Sequence, residues 1–239
     1  MKTSSKIFFG FWGAAALLII GVIAAFSSIT RAWVSPDGRQ LRDVTSLTGP
    51  WEDRRLDLAD FSSLRLEGPF DVTWERADTY EVVVSAPRRF SESYATRQEG
   101  RLLVFSNRLG GRYSQLALRL HLKSPTLSKV DALQGLKLRL GGNPGPSLVI
   151  TGSGAVWIDG SCPEPVERLE VRAQGLTVLQ MKECRLKVLE LEVHGKVMVD
   201  AEVTDSLEGR VHGDGQINLK GAPARSRLFN EGSVRVLTE

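Results

Sequence analysis

The feature that most constrains the fold is a repeat of about twenty residues in the C-terminal half of the chain. Its marks are Gln134, Gly154, Gly175, Gly195, Gly215 and Gly232, which are separated by 20, 21, 20, 20 and 17 residues. Apolar side chains stand two and four positions after the marks, as Val156 and Ile158 follow Gly154. This alternation has a period of two, which indicates strands and disfavours helices. Each period therefore predicts a strand, a glycine bend, a second strand and a turn.

Stacked apolar columns at a fixed period predict an all-β fold of the β-solenoid type. In such a fold each coil is hydrogen-bonded to the next at about 4.8 Å. The glycine fits because a sharp bend often needs a positive φ angle. A β-sandwich with regular hairpins is the alternative, since it also has short strands at steady spacing. It does not produce columns in register, so the solenoid is the preferred interpretation.

Residues 53–131 also contain strand patterns but follow no clear period. Apolar residues alternate around Gly68 and again over 116–122, and 81–85 and 102–105 look like further strands. These segments either continue the solenoid as irregular coils or cap it by local pairing. Both possibilities stay open at this stage.

The N-terminal segment predicts a membrane anchor. Residues 7–30 carry no charge and lie between Lys6 and Arg31. A helix of that length is about 36 Å long, enough to cross a hydrocarbon core of about 30 Å. Small residues over 24–28 leave a cleaved signal peptide as the alternative. The predicted organisation is a transmembrane segment over 1–31, a linker over 32–52 and a β-solenoid domain over 53–239 that is exported across the membrane.

The charge balance argues against a nucleic-acid partner. Three of the 31 basic residues, and none of the 28 acidic ones, lie in the first 31 positions, which leaves 28 of each in the remainder. Nucleic-acid binding usually depends on a net positive surface.

Several segments carry a resemblance to a known family. They are FSSLRLEGPFDVTW (61–74), YEVVVSA (80–86), GRLLV (100–104), ITGSGAV (150–156) and HGDGQI (212–217). In this order they resemble the head GIN domain family, bacterial envelope proteins called autotransporter adhesins. The resemblance covers 53–239 and implies a right-handed β-helix in the bacterial envelope, with the anchor in the inner membrane and the domain in the periplasm. It supplies no catalytic or binding residues.

Two polar columns are candidates for chemistry. His194 and His212 are expected on adjacent coils, with Asp214 as the nearest further metal ligand and His121 elsewhere. A zinc site needs about four ligands, so we interpret the pair as a solvated column and predict no metal or other cofactor. Outward positions five residues after successive marks are Asp159, Gln180, Asp200 and Lys220.

The aspartates of the second column do not form a convincing glycosidase pair. Asp159 and Asp200 are expected two coils apart, about 10 Å, against about 5–9.5 Å for glycosidase carboxylates. Trp157 is the only tryptophan of the repeat, and no aromatic sugar platform is expected beside them. The segment Gly152-Ser153-Gly154 is not a nucleophile elbow, because it joins two strands. We predict no catalytic residue.

The two cysteines, Cys162 and Cys184, fall at nearly the same turn of neighbouring coils. Adjacent coils bring Cα atoms within the range of about 4.4–6.8 Å that a disulfide requires. A bonded pair and two free buried thiols both stay open.

The predicted function is a non-catalytic, membrane-tethered envelope module whose solenoid surface contacts an envelope protein or a glycan. The alternatives are a polysaccharide lyase or hydrolase that uses Asp159 and Asp200, and an envelope-stress sensing component. Because the last coil, 232–238, has no capping helix, we also expect self-association through the solenoid ends.

Overall fold

The computed structural model describes residues 49–238, which form a β-solenoid with no α-helix among them. The all-β class is confirmed. The first strands are β1 (Trp51–Leu56), β2 (Ser63–Glu67), β3 (Phe70–Arg76), β4 (Glu81–Pro87), β5 (Tyr94–Glu99), β6 (Leu102–Asn107) and β7 (Leu118–Ser124). The linker was predicted to run to residue 52, whereas β1 begins at Trp51.

The repeat supplies the remaining strands. They are β8 (Lys129–Ala132), β9 (Leu136–Gly141), β10 (Ser147–Ser153), β11 (Val156–Gln174), β12 (Thr177–His194), β13 (Val197–His212), β14 (Gly215–Lys220), β15 (Arg225–Glu231) and β16 (Val234–Thr238). The long strands β11, β12 and β13 each span two sides of the solenoid, with irregular register where the chain turns from one side to the other.

The repeat strands pair in parallel and in register, so the sandwich alternative is wrong. Ile150, Val171 and Leu191 are successive partners in one buried column. Two faces result. We call the A face the ladder of β6, β2, β8, β10, residues 168–174, 188–194 and 206–212, and β15. The B face is the ladder of β7, β3, β9, residues 156–161, 177–181 and 197–202, β14 and β16.

The bends between the faces need glycine. The N–H of Gly175 donates to the carbonyl oxygen of His194 at 2.8 Å, so each bend is hydrogen-bonded to the next coil. At Gly195 φ is +136°, and a Cβ atom would lie 2.4 Å from the carbonyl oxygen of Gly175. No side chain fits such a contact, because the neighbouring atoms belong to the backbone.

One part of the predicted register is wrong. Gly195 is followed, one coil later, by Gly213 and not by Gly215, because the bend with positive φ is at Gly213 (+146°). Gly215 instead pairs with Val197, and Ile217 with Val199. The coil from Gly195 to Gly213 is two residues shorter than the repeat suggested, and the next coil, to Gly232, is two residues longer. The register therefore differs from the predicted one in β14 and agrees with it in β16.

The first part of the chain both continues the solenoid and caps it. Strands β2 and β3 form a coil that lies between the coil of β6 and β7 and the coil of β8 and β9. Antiparallel pairs then cover the edge of the outermost coil, since β4 joins β1 to β7 and β5 joins β6. The two possibilities left open by the sequence are therefore both present.

The predicted membrane anchor over 1–31 lies outside the described residues. Within residues 49–238, the structure has no helix with the length and apolarity to span a membrane.

Candidate binding surfaces

The acidic column forms as predicted over three coils. Asp159 pairs with Gln180, and Gln180 with Asp200, on the outward side of the B face. The fourth member is Asn218, so the prediction of Lys220 is wrong. Lys220 pairs with Glu202 instead, because the bend lies at Gly213 and shifts β14 by two residues. The aspartates are two coils apart, with the Gln180 side chain between them.

An aromatic ring accompanies this column, contrary to expectation. Trp157 lies two residues before Asp159 on the same outward face and is 41% exposed. Its partner along the coils is Val178, which is followed by Met198 at 49% exposure. The sequence held the signal, since residues two apart on a strand share a face. Alternation already placed Trp157 on the outward side of its strand, but the prediction did not set it beside the acidic column.

The histidine column also forms as predicted. His194 and His212 are register partners, and their rings stack at 4.4 Å between centroids with an interplanar angle of 5°. Glu231 lies 2.8 Å from Nδ1 of His212. The suggested third ligand, Asp214, accepts a hydrogen bond from the backbone N–H of Ser233 and so belongs to a bend. His121 lies on β7, beside Glu75 at 3.7 Å.

Over the stretch 49–238, no group of three or more His, Cys, Asp or Glu side chains is arranged to hold a metal ion.

A groove of about 530 Å³ crosses the A face near its C-terminal coils, lined mostly by Glu and Arg side chains. Its lining includes Gly209, whose register partners on the neighbouring coils are Leu191 and Leu228. Ion pairs neutralise much of its charge: Arg168 contacts Glu190 at 2.6 Å, and Arg172 contacts Glu170 at 2.5 Å. The sequence did not predict this groove.

Two side chains with shifted pKa values, Glu81 and Lys187, lie outside the acidic column and the histidine column. A hydrogen bond from Lys123 holds the pKa of Glu81 below its ordinary value, with Arg55 and His121 adding to the effect and burial opposing it. A hydrogen bond to Glu167 raises the pKa of Lys187, and burial opposes this shift. Both side chains form surface ion pairs between strands, at 3.1 Å and 2.8 Å respectively.

Cys162 and Cys184 form a disulfide. They are register partners of adjacent coils, and their Cα atoms are 4.6 Å apart. The bond lies at the turn where the chain passes from the B face to the A face, so it joins two turns that β-sheet hydrogen bonds hold only irregularly. Of the two states that the sequence left open, the structure has the bonded one.

The chain also matches a known protein family. Residues 145–223 match the model of the family described as "Putative auto-transporter adhesin, head GIN domain". The resemblance to the head GIN domain family is thereby confirmed. The matched segment runs from β10 to just after β14 and contains the bends at Gly154, Gly175, Gly195 and Gly213.

The solved structures that match this chain have low sequence identity to it. A putative adhesin from Bacteroides fragilis NCTC 9343 is 15% identical, with a TM-score of 0.62 over 80% of this chain and 98% of that chain. A putative adhesin from Parabacteroides merdae ATCC 43184 is 15% identical, with a TM-score of 0.40 over 79% and 97%. A putative lipid binding protein from Parabacteroides distasonis ATCC 8503 is 16% identical, with a TM-score of 0.38 over 79% and 97%. The comparison with curated proteins gives no match. The Bacteroides fragilis structure supports the solenoid fold.

Proposed function

We propose that this protein is a non-catalytic module of the bacterial cell envelope, tethered to the inner membrane by residues 1–31, with its right-handed solenoid in the periplasm. The observation that carries the proposal is the B face. Its outward side chains repeat in register over successive coils and include the exposed Trp157 and Met198. Exposed apolar side chains in a contiguous strip with a polar border are typical of interaction surfaces.

Two further observations support the envelope location. The disulfide between Cys162 and Cys184 is a bond that persists in oxidising compartments such as the periplasm. The matched family is described as adhesins, and the Bacteroides fragilis structure of the same fold bears that description too. Adhesins act at the cell surface, which requires export.

The experiment is photo-crosslinking from Trp157 in intact cells, with a photoreactive amino acid at that position and affinity capture of the full chain. We expect a discrete crosslinked partner, or crosslinked envelope glycan, that is absent when the same amino acid replaces Leu133 on the other face (52% exposed). Identical products from the two positions would contradict the proposal. An alkaline phosphatase fusion at the C-terminus tests the location, since the enzyme is active only after export.

We also propose that the chain self-associates through β15, which pairs with β13 along one edge and has no other strand partner among the described residues. An antiparallel pair of two β15 strands centred on Leu228 places Arg225 opposite the partner's Glu231 and Arg227 opposite the partner's Phe229. Phe229 is 66% exposed. Both contacts are complementary, and a two-fold axis makes each of them twice.

Sedimentation equilibrium of the full chain in detergent tests this pairing. We expect a dimer for the wild-type chain and a monomer for Arg225→Glu. The double variant Arg225→Glu/Glu231→Arg should recover the dimer, because it restores the opposite charges. A wild-type monomer at tens of micromolar would exclude the contact.

A further inference from the structure

The two ends of the described solenoid are built differently. At the N-terminal end, antiparallel strands cover the outermost coil, and exposed charged side chains line the edge strand β1, namely Glu52, Asp53, Arg54 and Arg55. Charges on an edge strand resist pairing with another chain. At the C-terminal end, β15 pairs only with β13, and β16 only with β14, among the described residues. We call the last two strands, β15 and β16, the open end.

The open end exposes apolar side chains of a kind that the preceding coils bury. Val236 faces inward and is 43% exposed, whereas its register partner Ile217 is fully buried. Leu228 also faces inward and is only partly buried. On the outward side of the same strands, Phe229 and Leu237 are 66% and 50% exposed. A further pair of strands would cover these side chains, as each coil of the repeat covers the one before it.

On the B face, the backbone groups that bond to the next coil belong to inward-facing residues. The N–H of Val156 donates to the carbonyl oxygen of Leu176 in the next coil at 2.8 Å. The residue of β16 in the column of Val156 is Val234. Because backbone groups alternate in direction along a strand, those of Val234 and Val236 point to the free edge of β16.

The A face has the same arrangement. The carbonyl oxygen of the outward residue Glu231 accepts a hydrogen bond from the N–H of Gly213 in the preceding coil at 3.2 Å. By the same alternation, the backbone groups of the inward residue Leu228 point to the free edge of β15. On both faces, therefore, an inward apolar residue carries the backbone groups that a further strand would meet.

A single two-fold axis satisfies both edges. Leu228 lies four residues before the bend at Gly232, and Val236 lies four residues after it. The two residues therefore occupy matching positions on the A and B faces. An axis that crosses the solenoid through both positions sets each residue opposite its own copy in a second chain.

We propose that two copies of the chain join through β16 as well as through β15, an inference that rests on the proposed self-association. In the antiparallel β16 pair, Val236 packs against the partner's Val236, and Arg235 lies opposite the partner's Leu237. The inward side chains of the two chains then form one continuous core. Because the ends that remain are the charged N-terminal ones, the assembly closes at two chains.

The observations favour a second copy over an unrelated partner. The free backbone groups at Leu228 and Val236, the apolar side chains of the same residues, and the pair of Arg225 with the partner's Glu231 all fit one two-fold axis. Self-complementarity about one axis is the property of an interface between identical chains.

The first test changes the outward side of the β16 pair. Leu237→Glu places a carboxylate opposite the partner's Arg235, whereas Leu237→Lys places a second cation there, and both variants remove the same exposed leucine. Sedimentation equilibrium of the full chain in non-ionic detergent measures the dimer association constant. It should be about tenfold or more higher for Leu237→Glu, because each cross-strand contact is made twice. Circular dichroism establishes that both variants are folded.

The second test crosslinks residues that the axis sets opposite one another. In an antiparallel pair such residues have Cα atoms about 5.5 Å apart, which is within the range of a disulfide. Mild oxidation of Val236→Cys, and separately of Leu228→Cys, should give a covalent dimer that dithiothreitol separates into monomers. The matched control is Leu133→Cys, which replaces an exposed leucine after β8 and should give no covalent dimer.

Equal association constants for the two Leu237 variants would overturn the inference, as would a Val236→Cys chain that is crosslinked no more than Leu133→Cys. If Leu228→Cys is still crosslinked in that case, self-association through β15 stands without β16. If it is not, and the wild-type chain is a monomer, both proposals fail. A mass that rises past that of a dimer as the concentration increases would contradict a closed assembly of two chains.

Discussion

The first coils and the repeat coils fill the same core with different side chains. Four aromatic residues are fully buried in the first region, namely Phe61, Phe70, Trp74 and Phe105. From Gly135 to the end of the described residues, the buried hydrophobic side chains are aliphatic or sulfur-containing. The repeat can use small identical columns because every coil rests on a coil like itself. The first coils meet antiparallel strands in an irregular space, which large rings fill.

The polar contacts differ in the same way. In the repeat, each bend is hydrogen-bonded to the next through backbone groups, as Gly175 is to His194. In the first region, hydrogen bonds from individual side chains join the neighbouring segments. The indole Nε1 of Trp74 donates to Oγ of Ser124 at 2.8 Å, and Asn107 donates to the carbonyl oxygens of Pro69 and Leu116 at 3.2 and 3.0 Å. The repeat thus depends on many equivalent contacts and the first region on a few that have no substitute.

The sharpest test of that difference is Trp74→Ala. It removes a fully buried ring and leaves Ser124 without its donor, so we expect a loss of about 5 kcal/mol in the free energy of unfolding. Urea unfolding followed by circular dichroism measures it. Trp157→Ala makes the same chemical change on the surface and should cost less than about 1 kcal/mol. Equal effects of the two variants would contradict the comparison.

Within the repeat, Gly195→Ala should be the most damaging small substitution. The new Cβ would meet the backbone of Gly175 at 2.4 Å, in addition to the positive φ, and we expect a cost of about 4 kcal/mol. Gly100→Ala is the control, because Gly100 also has a positive φ (+58°) but has open space around its Cα. Its cost should be about 1 kcal/mol. Equal unfolding midpoints for Gly195→Ala and Gly100→Ala would show that the close contact between the bends of successive coils is unimportant for stability.

The disulfide is the one covalent contact between described coils. Replacing both Cys162 and Cys184 by Ala should lower the free energy of unfolding by about 3 kcal/mol, as expected for a loop of this length. Reduction of the wild-type chain with dithiothreitol should lower it equally, and the double variant should not respond to reduction. A non-reduced mass that includes two free thiols, in protein isolated from the periplasm, would show that the bond is not formed in the cell.

One repeat position departs from the aliphatic pattern and offers a stabilising change. Thr177 is fully buried between Val156 and Val197, and its hydroxyl oxygen has no hydrogen-bond partner. Thr177→Val has the same shape and removes a buried polar group, so we expect a gain of about 1 kcal/mol. Thermal unfolding measures it, with Thr151→Val on the outward A face as the control without effect. A loss of stability would mean that the hydroxyl has a function.

The smallest effect is expected at the antiparallel cap. Glu81→Gln removes ion pairs to Lys123 and Arg55, and because these pairs lie at the protein surface the melting temperature should fall by only about 1–2 °C. The pKa of Glu81 is lowered in the folded chain, so its contribution is present at neutral pH and is lost as the pH falls through the carboxyl range. The difference in melting temperature between the variant and the wild-type chain should therefore disappear at acidic pH. A difference that grows in acid would contradict this sign.

Much of the repeat could be predicted because the signals are local. Alternation identified the buried columns at Val156 and Ile158, and similar neighbouring sequences placed His194 beside His212 and Cys162 beside Cys184. The error at Gly215 has a simple cause. The segment Gly213-Asp214-Gly215 offers two glycines, and only pairing with the preceding coil selects Gly213 as the bend. The candidate surface was half-predicted, since the acidic column was found without the tryptophan beside it.

The sequence by itself determined the solenoid, its coil length and which side chains face inward, because these follow from strand alternation and from glycine at bends within a few residues. The tertiary structure decided that the coil of β2 and β3 lies between two coils that follow it in the chain, and that antiparallel strands cover the outermost coil. It also decided that the lining of the A-face groove includes Gly209. These features depend on which distant segments stack on one another. The alternation within one strand shows which side chains face inward but does not identify the strand that pairs with it.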